Sequence, residues 1–377
     1  MQRMIKKLKP LEIMLKNAWV GALSYFLKRS LARIDKPDLK QPLRVLFVRH
    51  ERIGDTLISF PVVDVLKKEY PNWEMSWVTA PRSIDLIVAD PRFKKVFTYT
   101  KKFFKDLVMI CRAREEKFDI VVDMISGDSV SALALSHLAA PGAYKIGVGK
   151  CRHADYYHVN SRHPFCVTNR HILESTLDIV SYLGVDPLDA ERFCPPFVSK
   201  SKKDEIGNML KALPDLFRGR PLVGINISSG EPSRIWDMNN YKRVITKIIE
   251  KFTMLGFIVI AAPNDYSKGR KLAESFDDRV NILPQVMDIC SVAELISRLN
   301  LLISTDTSLL HIARSYRIPV VGLYRGHKIN IWFPYAQLSG MVLSPTEEHL
   351  FDITVEQVVE KTIEIGRRFK IPGLMHV

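Results

Sequence analysis

Cysteine is scarce and scattered. Five residues in 377 (Cys111, Cys151, Cys166, Cys194 and Cys290) form no CxxC pair and no Cys/His cluster. Neither a disulfide framework nor a zinc site is indicated, and reduced thiols in a cytoplasmic setting are the simplest expectation. The GxxxxGK(S/T) loop, GxGxxG after the first strand, HExxH and GxSxG are all missing. P-loop phosphotransfer, dinucleotide redox chemistry, zinc proteolysis and esterase chemistry thus lack their signatures. There is no tandem repeat or low-complexity segment. Acidic residues are in deficit, 41 against 55 Lys and Arg, which gives a net charge of +14. Such an excess implies a polyanionic partner: nucleic acid, an acidic membrane surface or a phosphorylated substrate. No recognised nucleic-acid module accompanies it, so no nucleic-acid partner is expected.

What is present is ordinary globular composition, 47% hydrophobic and 25% charged, in a chain long enough for two domains. Residues 1–36 form a basic amphipathic segment. Eight Lys/Arg precede Asp35 against the single acid Glu12. Leu11, Met14, Leu15, Ala18, Trp19 and Ala22 recur at helical spacing. The uncharged run Asn17 to Leu27 has eleven residues, short of the ~20 needed to span a bilayer. No cleavage pattern follows it. The segment suits an interfacial helix on an anionic leaflet, or equally a helix packed on the protein's own surface.

From Leu43 the pattern changes. Arg44-Val-Leu-Phe-Val-Arg49 reads as a buried parallel strand, followed by a turn at His50–Asp55 and a helix from Thr56 to Tyr70. Strands at Glu74–Val78, Val96–Tyr99 and Ile120–Met124 alternate with helices at Arg82–Ala89 and Phe103–Arg114. A second series starts at Leu222-Val-Gly-Ile-Asn-Ile227. It continues through strands at Phe257–Ala261, Val280–Leu283, Leu301–Ser304 and Val320–Leu323, with helices between. This rhythm predicts two Rossmann-like doubly wound α/β domains with a cleft at the carboxyl ends of their sheets. The expected divisions are 37–195, a linker over 196–220, 221–350, and a C-terminal helical segment over 351–377 that could pack back on the N-terminal domain. Basic residues crowd Lys94–Arg114. A second basic, His-bearing stretch runs from Lys145 to His171, suited to an anionic acceptor or simply to solvent.

Three loops follow strands. In Arg49-His-Glu-Arg-Ile-Gly-Asp55-Thr56, Gly54 allows a tight turn and Asp55 starts the helix. Asp is a preferred N-cap. The same carboxylate is also placed to act as a general base, with Arg49 and Arg52 beside it for an anionic acceptor. In Ile227-Ser228-Ser229-Gly-Glu-Pro-Ser-Arg234-Ile-Trp236, hydroxyls and a guanidinium suit a phosphate, though Ser, Gly and Pro also fill plain turns. In Ser304-Thr-Asp306-Thr307-Ser308-Leu-Leu-His311, a helix N-terminus offers free amides to an anion. Asp306 as a simple cap and His311 as a core histidine are the alternatives there.

The segment Arg44 to Pro61 resembles the opening of the ADP-heptose:lipopolysaccharide heptosyltransferases, glycosyltransferase family 9. Ser304 to Ala313, continued by Ile318 to Tyr324, is similar to that family's nucleotide-side motif. So are Ser228-Ser229 with Arg234-Ile-Trp236, and Ala262-Pro-Asn-Asp265. Asp123, Ser131 and an Ile146-Gly147 turn follow its pattern more loosely. The resemblance implies the GT-B fold and inverting, metal-independent transfer of heptose from the donor substrate ADP-heptose to the inner core of lipopolysaccharide. By position it makes Asp55 the catalytic base and Ser228, Ser229, Arg234, Thr307 and Ser308 the diphosphate contacts. Asp306 and His311 fall in the donor motif, Asp265 near the ribose, and Arg49 near the acceptor and phosphates. It implies a nucleotide-sugar donor, a lipopolysaccharide-type glycolipid acceptor and a peripheral position on the inner face of the cytoplasmic membrane. The charged His50-Glu51-Arg52 and Ser308, in place of the family's small residues and glycine, depart from the pattern. A transferase using another nucleotide sugar such as a hexosamine, and a non-catalytic relic that binds nucleotide or anionic glycan, are the alternatives.

Overall fold

Apolar runs without alternation, such as Val45–Val48, are buried on both faces when they lie inside a parallel sheet. The computed structural model of the chain describes residues 28, 31–161, 170–214, 217, 219–283, 287–326 and 338–375, and it contains two such sheets. The chain divides into two units, Met1–Glu191 and Arg192–Val377. Residues 1–27, 29 and 30, which carry the expected amphipathic helix, lie outside the described residues, as do Arg162, His163 and Cys166.

The first unit runs β1 (Arg44–Val48), α1 (Ile53–Glu69), β2 (Glu74–Thr79), β3 (Phe93–Thr98), α2 (Phe103–Glu115), β4 (Ile120–Asp123), α3 (Val130–Leu138), β5 (Tyr144–Val148), β6 (Val159–Ser161), α4 (Ile172–Leu177) and α5 (Ile179–Tyr182). Its strands pair in parallel in the order β3-β2-β1-β4-β5-β6. The path reverses between β1 and β4, which makes the carboxyl ends of those two strands the switch point where ligands bind in open α/β sheets. Trp77 is buried among Phe47, Phe60 and Phe93. The helix expected over Arg82–Ala89 is only a 3₁₀ segment, Pro81–Leu86.

The second unit runs α6 (Lys200–Lys211), β7 (Leu222–Asn226), α7 (Met238–Lys251), β8 (Gly256–Ile260), α8 (Tyr266–Ala273), β9 (Val280–Ile282), α9 (Ile289–Ser297), β10 (Leu301–Thr305), α10 (Ser308–Ser315), β11 (Val320–Tyr324), β12 (Ser339–Leu343) and α11 (Val355–Arg368). Its parallel order, β12-β11-β10-β7-β8-β9, repeats the path of the first sheet and puts the reversal between β7 and β10. The stretch expected as a linker contains α6, which packs on α9. The C-terminal segment that could pack back on the N-terminal half holds α11, whose apolar face enters the core of the second unit. Val355, Val358 and Ile365 enter that core, and Trp236 Nε1 donates to the Ile353 carbonyl at 3.1 Å. Gly340 on β12 permits the approach, because a Cβ there would lie 2.6 Å from Ile365 Cγ1.

Candidate active site

In the first unit, Asp55 follows from local helix chemistry. Helix α1 begins at Ile53, so Gly54 and Asp55 already belong to its first turn. Asp55 is therefore not the N-cap. One carboxylate oxygen accepts from the Arg52 backbone N–H at 3.1 Å, in the manner of an N3 acid in a capping box. The other faces Arg49 Nη2 at 3.3 Å. Arg49, expected to meet the acceptor, is only 1% exposed. Its guanidinium also donates to the Met124 carbonyl just beyond β4 and lies 3.3 Å from Glu51 Oε2. It thereby ties the two strand ends of the switch point to the carboxylate. Burial pushes the Glu51 carboxyl above its usual range, with Arg49 opposing and Asp55 reinforcing the rise. Arg52 remains exposed.

Beneath this pair lies a buried network that sequence reasoning did not find. Asp123 and Lys150 are fully enclosed and 2.8 Å apart. Tyr157 Oη donates to Asp123 Oδ2 at 2.5 Å, and the Ile125 N–H donates to Oδ1 at 3.0 Å. Lys150 Nζ also donates to the carbonyls of Ile125 at 2.6 Å and Gly127 at 3.2 Å. Burial, reinforced by Asp123, raises the Tyr157 phenol well above its ordinary value. Gly147 lies inside β5 rather than in a turn. A Cβ there would meet Lys150 Cγ and Tyr157 Cγ at 3.0 Å, so its absence makes room for both. His50 packs on Tyr99 at a tilt of 48°, with centroids 4.6 Å apart, and its Nε2 lies 3.4 Å from the Ser131 hydroxyl.

The basic stretch from Lys145 is corrected in the same way. Lys145 is buried, with Nζ on the carbonyls of Ala140 and Ala143 at 3.0 and 2.9 Å. Desolvation lowers its ammonium to about 8. Lys145 and Lys150 are thus structural cations, not a solvated or acceptor-facing surface. Arg152 is exposed and paired with Asp128 at 3.4 Å.

In the second unit, the two candidate loops meet across the β7/β10 switch point. Asn226, the last residue of β7 and absent from the expected set, is their hub. Its amide donates to the Ser228 carbonyl at 3.0 Å, to Ser304 Oγ at 2.9 Å and to Thr307 Oγ1 at 3.3 Å. Ser228 Oγ accepts from the Ala262 N–H at 2.8 Å and donates to Asp265 Oδ2 at 2.9 Å. Asp265 is held below the usual carboxylate range by Lys268 first, with burial opposing and Ser228 adding to the effect. Ser229 instead closes its own turn, donating to the Glu231 carbonyl at 2.9 Å.

Arg234 reaches across to the other loop. Nη1 donates to the Asp306 carbonyl at 2.9 Å and lies 3.0 Å from its carboxylate. Nε is 3.4 Å from Glu231, which also lies 3.6 Å from Arg325. Nη2 of Arg234 makes no bond among the described residues. Asp306 is thus an ion-pair partner, and the cap of α10 is Thr307, whose hydroxyl accepts from the Leu309 N–H at 3.4 Å. Ser308 is the first helical residue and is partly exposed, while His311 is buried one turn in. The arrangement brings Ser228, Asp265, Arg234, Asp306 and Thr307 into one connected set. A helix N-terminus flanked by a guanidinium is suited to a phosphate. Among the described residues, no group of three or more His, Cys, Asp or Glu is placed to hold a metal ion.

Comparison with known proteins agrees with this picture. The family model for glycosyltransferase family 9 (heptosyltransferase) matches residues 109–363. The chain belongs to glycosyltransferase family 9, and its two parallel-sheet α/β units have the GT-B fold of that family. It is 22% identical over 316 residues to the lipopolysaccharide core heptosyltransferase OpsX of Haemophilus influenzae, covering 80% of this chain and 84% of the relative. Among solved structures, a glycosyl transferase of family 9 from Veillonella parvula matches with a TM-score of 0.72 at 17% identity, over 88% of this chain and 99% of that one. The E. coli heptosyltransferase WaaC with ADP matches with a TM-score of 0.65 at 18% identity, over 85% and 99%.

Proposed function

We propose that the protein transfers a heptose from ADP-heptose to a sugar hydroxyl in the inner core of a lipopolysaccharide-type glycolipid, with inversion at the anomeric carbon. The observation that carries this reading is an ion-paired carboxylate at one switch point and an Arg–Asp pair beside a helix N-terminus at the other, in a family 9 chain. The acceptor oxygen forms a bond to the anomeric carbon as the bond from that carbon to the diphosphate oxygen breaks. Asp55 takes the hydroxyl proton, assistance worth ~10²–10⁴-fold. Arg49 positions Asp55, and exposed Arg52 meets the anionic acceptor.

The departing ADP carries the growing negative charge. Arg234, the hydroxyls of Ser228 and Ser229, and the α10 amides at Thr307 and Ser308 receive it. Removing one donor of this kind costs about 3–4 kcal/mol of transition-state stabilisation. In this reading these groups act without a metal ion. Asp306 holds Arg234 in place, His311 backs the same helix, and Asp265 is available to the ribose hydroxyls. The acceptor is presented at the inner face of the cytoplasmic membrane, where a peripheral enzyme with net charge +14 is attracted to anionic lipid. Nucleotide release from ADP-heptose, compared with UDP- and ADP-hexosamines and with truncated lipopolysaccharide as acceptor, tests the donor. Release with ADP-heptose alone supports the reading, and release only with a hexosamine donor overturns it.

A further inference from the structure

Helix α2 is apolar on two opposite faces. Met109 and Ala113 enter the core of the first unit. Asp106 fixes the start of the helix, accepting from the Thr100 N–H at 2.7 Å and the Thr100 hydroxyl at 2.9 Å. The outward face carries Phe103, Phe104, Leu107 and Val108, exposed by 74%, 79%, 47% and 51%. The i, i+1, i+4, i+5 spacing puts these four on one stripe. The two phenyl rings pack edge to face at 5.3 Å, as one wedge at the start of the helix. Around the stripe stand Lys101, Lys102, Lys105, Arg112 and Arg114, and none of them makes an ion pair among the described residues. The one exposed acid on the helix, Glu115, is at its far end.

A contiguous apolar patch rimmed by charge of one sign marks an interaction surface. Two aromatic rings and two aliphatic side chains flanked by unpaired cations fit an acyl–headgroup boundary that carries negative charge. We propose that the outward face of α2 is a membrane-docking surface for anionic lipid, with Phe103 and Phe104 entering the acyl boundary and Lys101, Lys102 and Lys105 on the headgroup phosphates. This deepens the proposed function and rests on its reading that the acceptor lies in a bilayer. It is a contact of α2 itself, additional to any made by residues 1–36. Docking through the first unit would hold the Asp55-bearing unit at the surface from which the acceptor projects.

The test is co-sedimentation of the full-length protein with vesicles of phosphatidylcholine and phosphatidylglycerol, and with phosphatidylcholine alone. Wild type is expected to bind the mixed vesicles preferentially. Phe103→Ser/Phe104→Ser should weaken that partition about tenfold or more. It should leave turnover on a detergent-solubilised acceptor unchanged. Lys101→Gln/Lys102→Gln/Lys105→Gln should remove most of the preference for phosphatidylglycerol. Unchanged vesicle binding by the Phe variant would overturn the inference, and it would leave the function standing if wild type binds. Loss of concentration-dependent self-association in the Phe variant, with vesicle binding intact, would assign the face to a second copy and equally overturn it. Wild type that ignores both vesicle types would remove the bilayer reading itself.

Discussion

Replacing Lys150 by Met isolates the network beneath the candidate base. The ammonium is fully enclosed and serves three acceptors: Asp123 at 2.8 Å and the carbonyls of Ile125 and Gly127 at 2.6 and 3.2 Å. In Lys150→Met, Asp123 keeps only Tyr157 and the Ile125 N–H, and its buried charge loses its counter-ion. Breaking one side of a buried pair costs about 3–5 kcal/mol. Removing both charges, as in Asp123→Asn/Lys150→Met, leaves no uncompensated ion and should recover most of that loss. Native-state hydrogen exchange by mass spectrometry, read on peptides covering β1, β4 and β5, reports the opening of this region directly. Protection should fall about 150- to 4,000-fold in the single variant, the factor that corresponds to that energy. Because Ile125 adjoins Met124, whose carbonyl holds Arg49, kcat should fall as well. Protection within about twofold of wild type, or a double variant no better protected than the single one, would refute the reasoning.

Burial lowers His137 to about 4, while in the unfolded chain it titrates near ~6.5. Between those values the unfolded chain binds the extra proton, so stability is intact above about 6.5 and falls as pH drops toward 4, by up to about 3 kcal/mol. Urea midpoints across that range should show the decline in wild type and a flatter profile in His137→Asn. Glu51→Gln removes a negative charge from beside the Arg49–Asp55 pair, so the acid limb of kcat/KM should move to lower pH, as read from initial rates. Arg234→Ala should weaken ADP binding about 10- to 150-fold by calorimetry, the range for a hydrogen bond to a charged group. An affinity within twofold would remove Arg234 from the diphosphate site.

The strands that carry unbroken apolar runs were legible in the sequence, which is why β1, β4, β7, β8 and β10 stand close to their expected positions. The far side of the first sheet was not. Lys145 and Gly147 break the apolar run of β5, and its lysine satisfies itself on backbone carbonyls, a contact with no sequence pattern. Asp55 and Arg234 could be picked out because each sits in a loop following a strong strand. Their partners could not. Asp55 had the look of a cap, but its N3 place in α1 and its bond to Arg49 depend on a fold that brings Met124 alongside. Asn226 is a single polar residue at a strand end, and its role as hub emerges only when β7 pairs with β10. The periodicity of α2 gave a helix, but only the packing of Met109 and Ala113 shows which of its apolar faces is left outside.

The central claim is that the Asp55 carboxylate takes the acceptor's proton while the second unit holds the donor. Initial rates of heptose transfer by Asp55→Ala, measured alongside ADP affinity by calorimetry, test it most directly. The account predicts a rate at least ~10²-fold below wild type with ADP affinity unchanged. Transfer at the wild-type rate would contradict it.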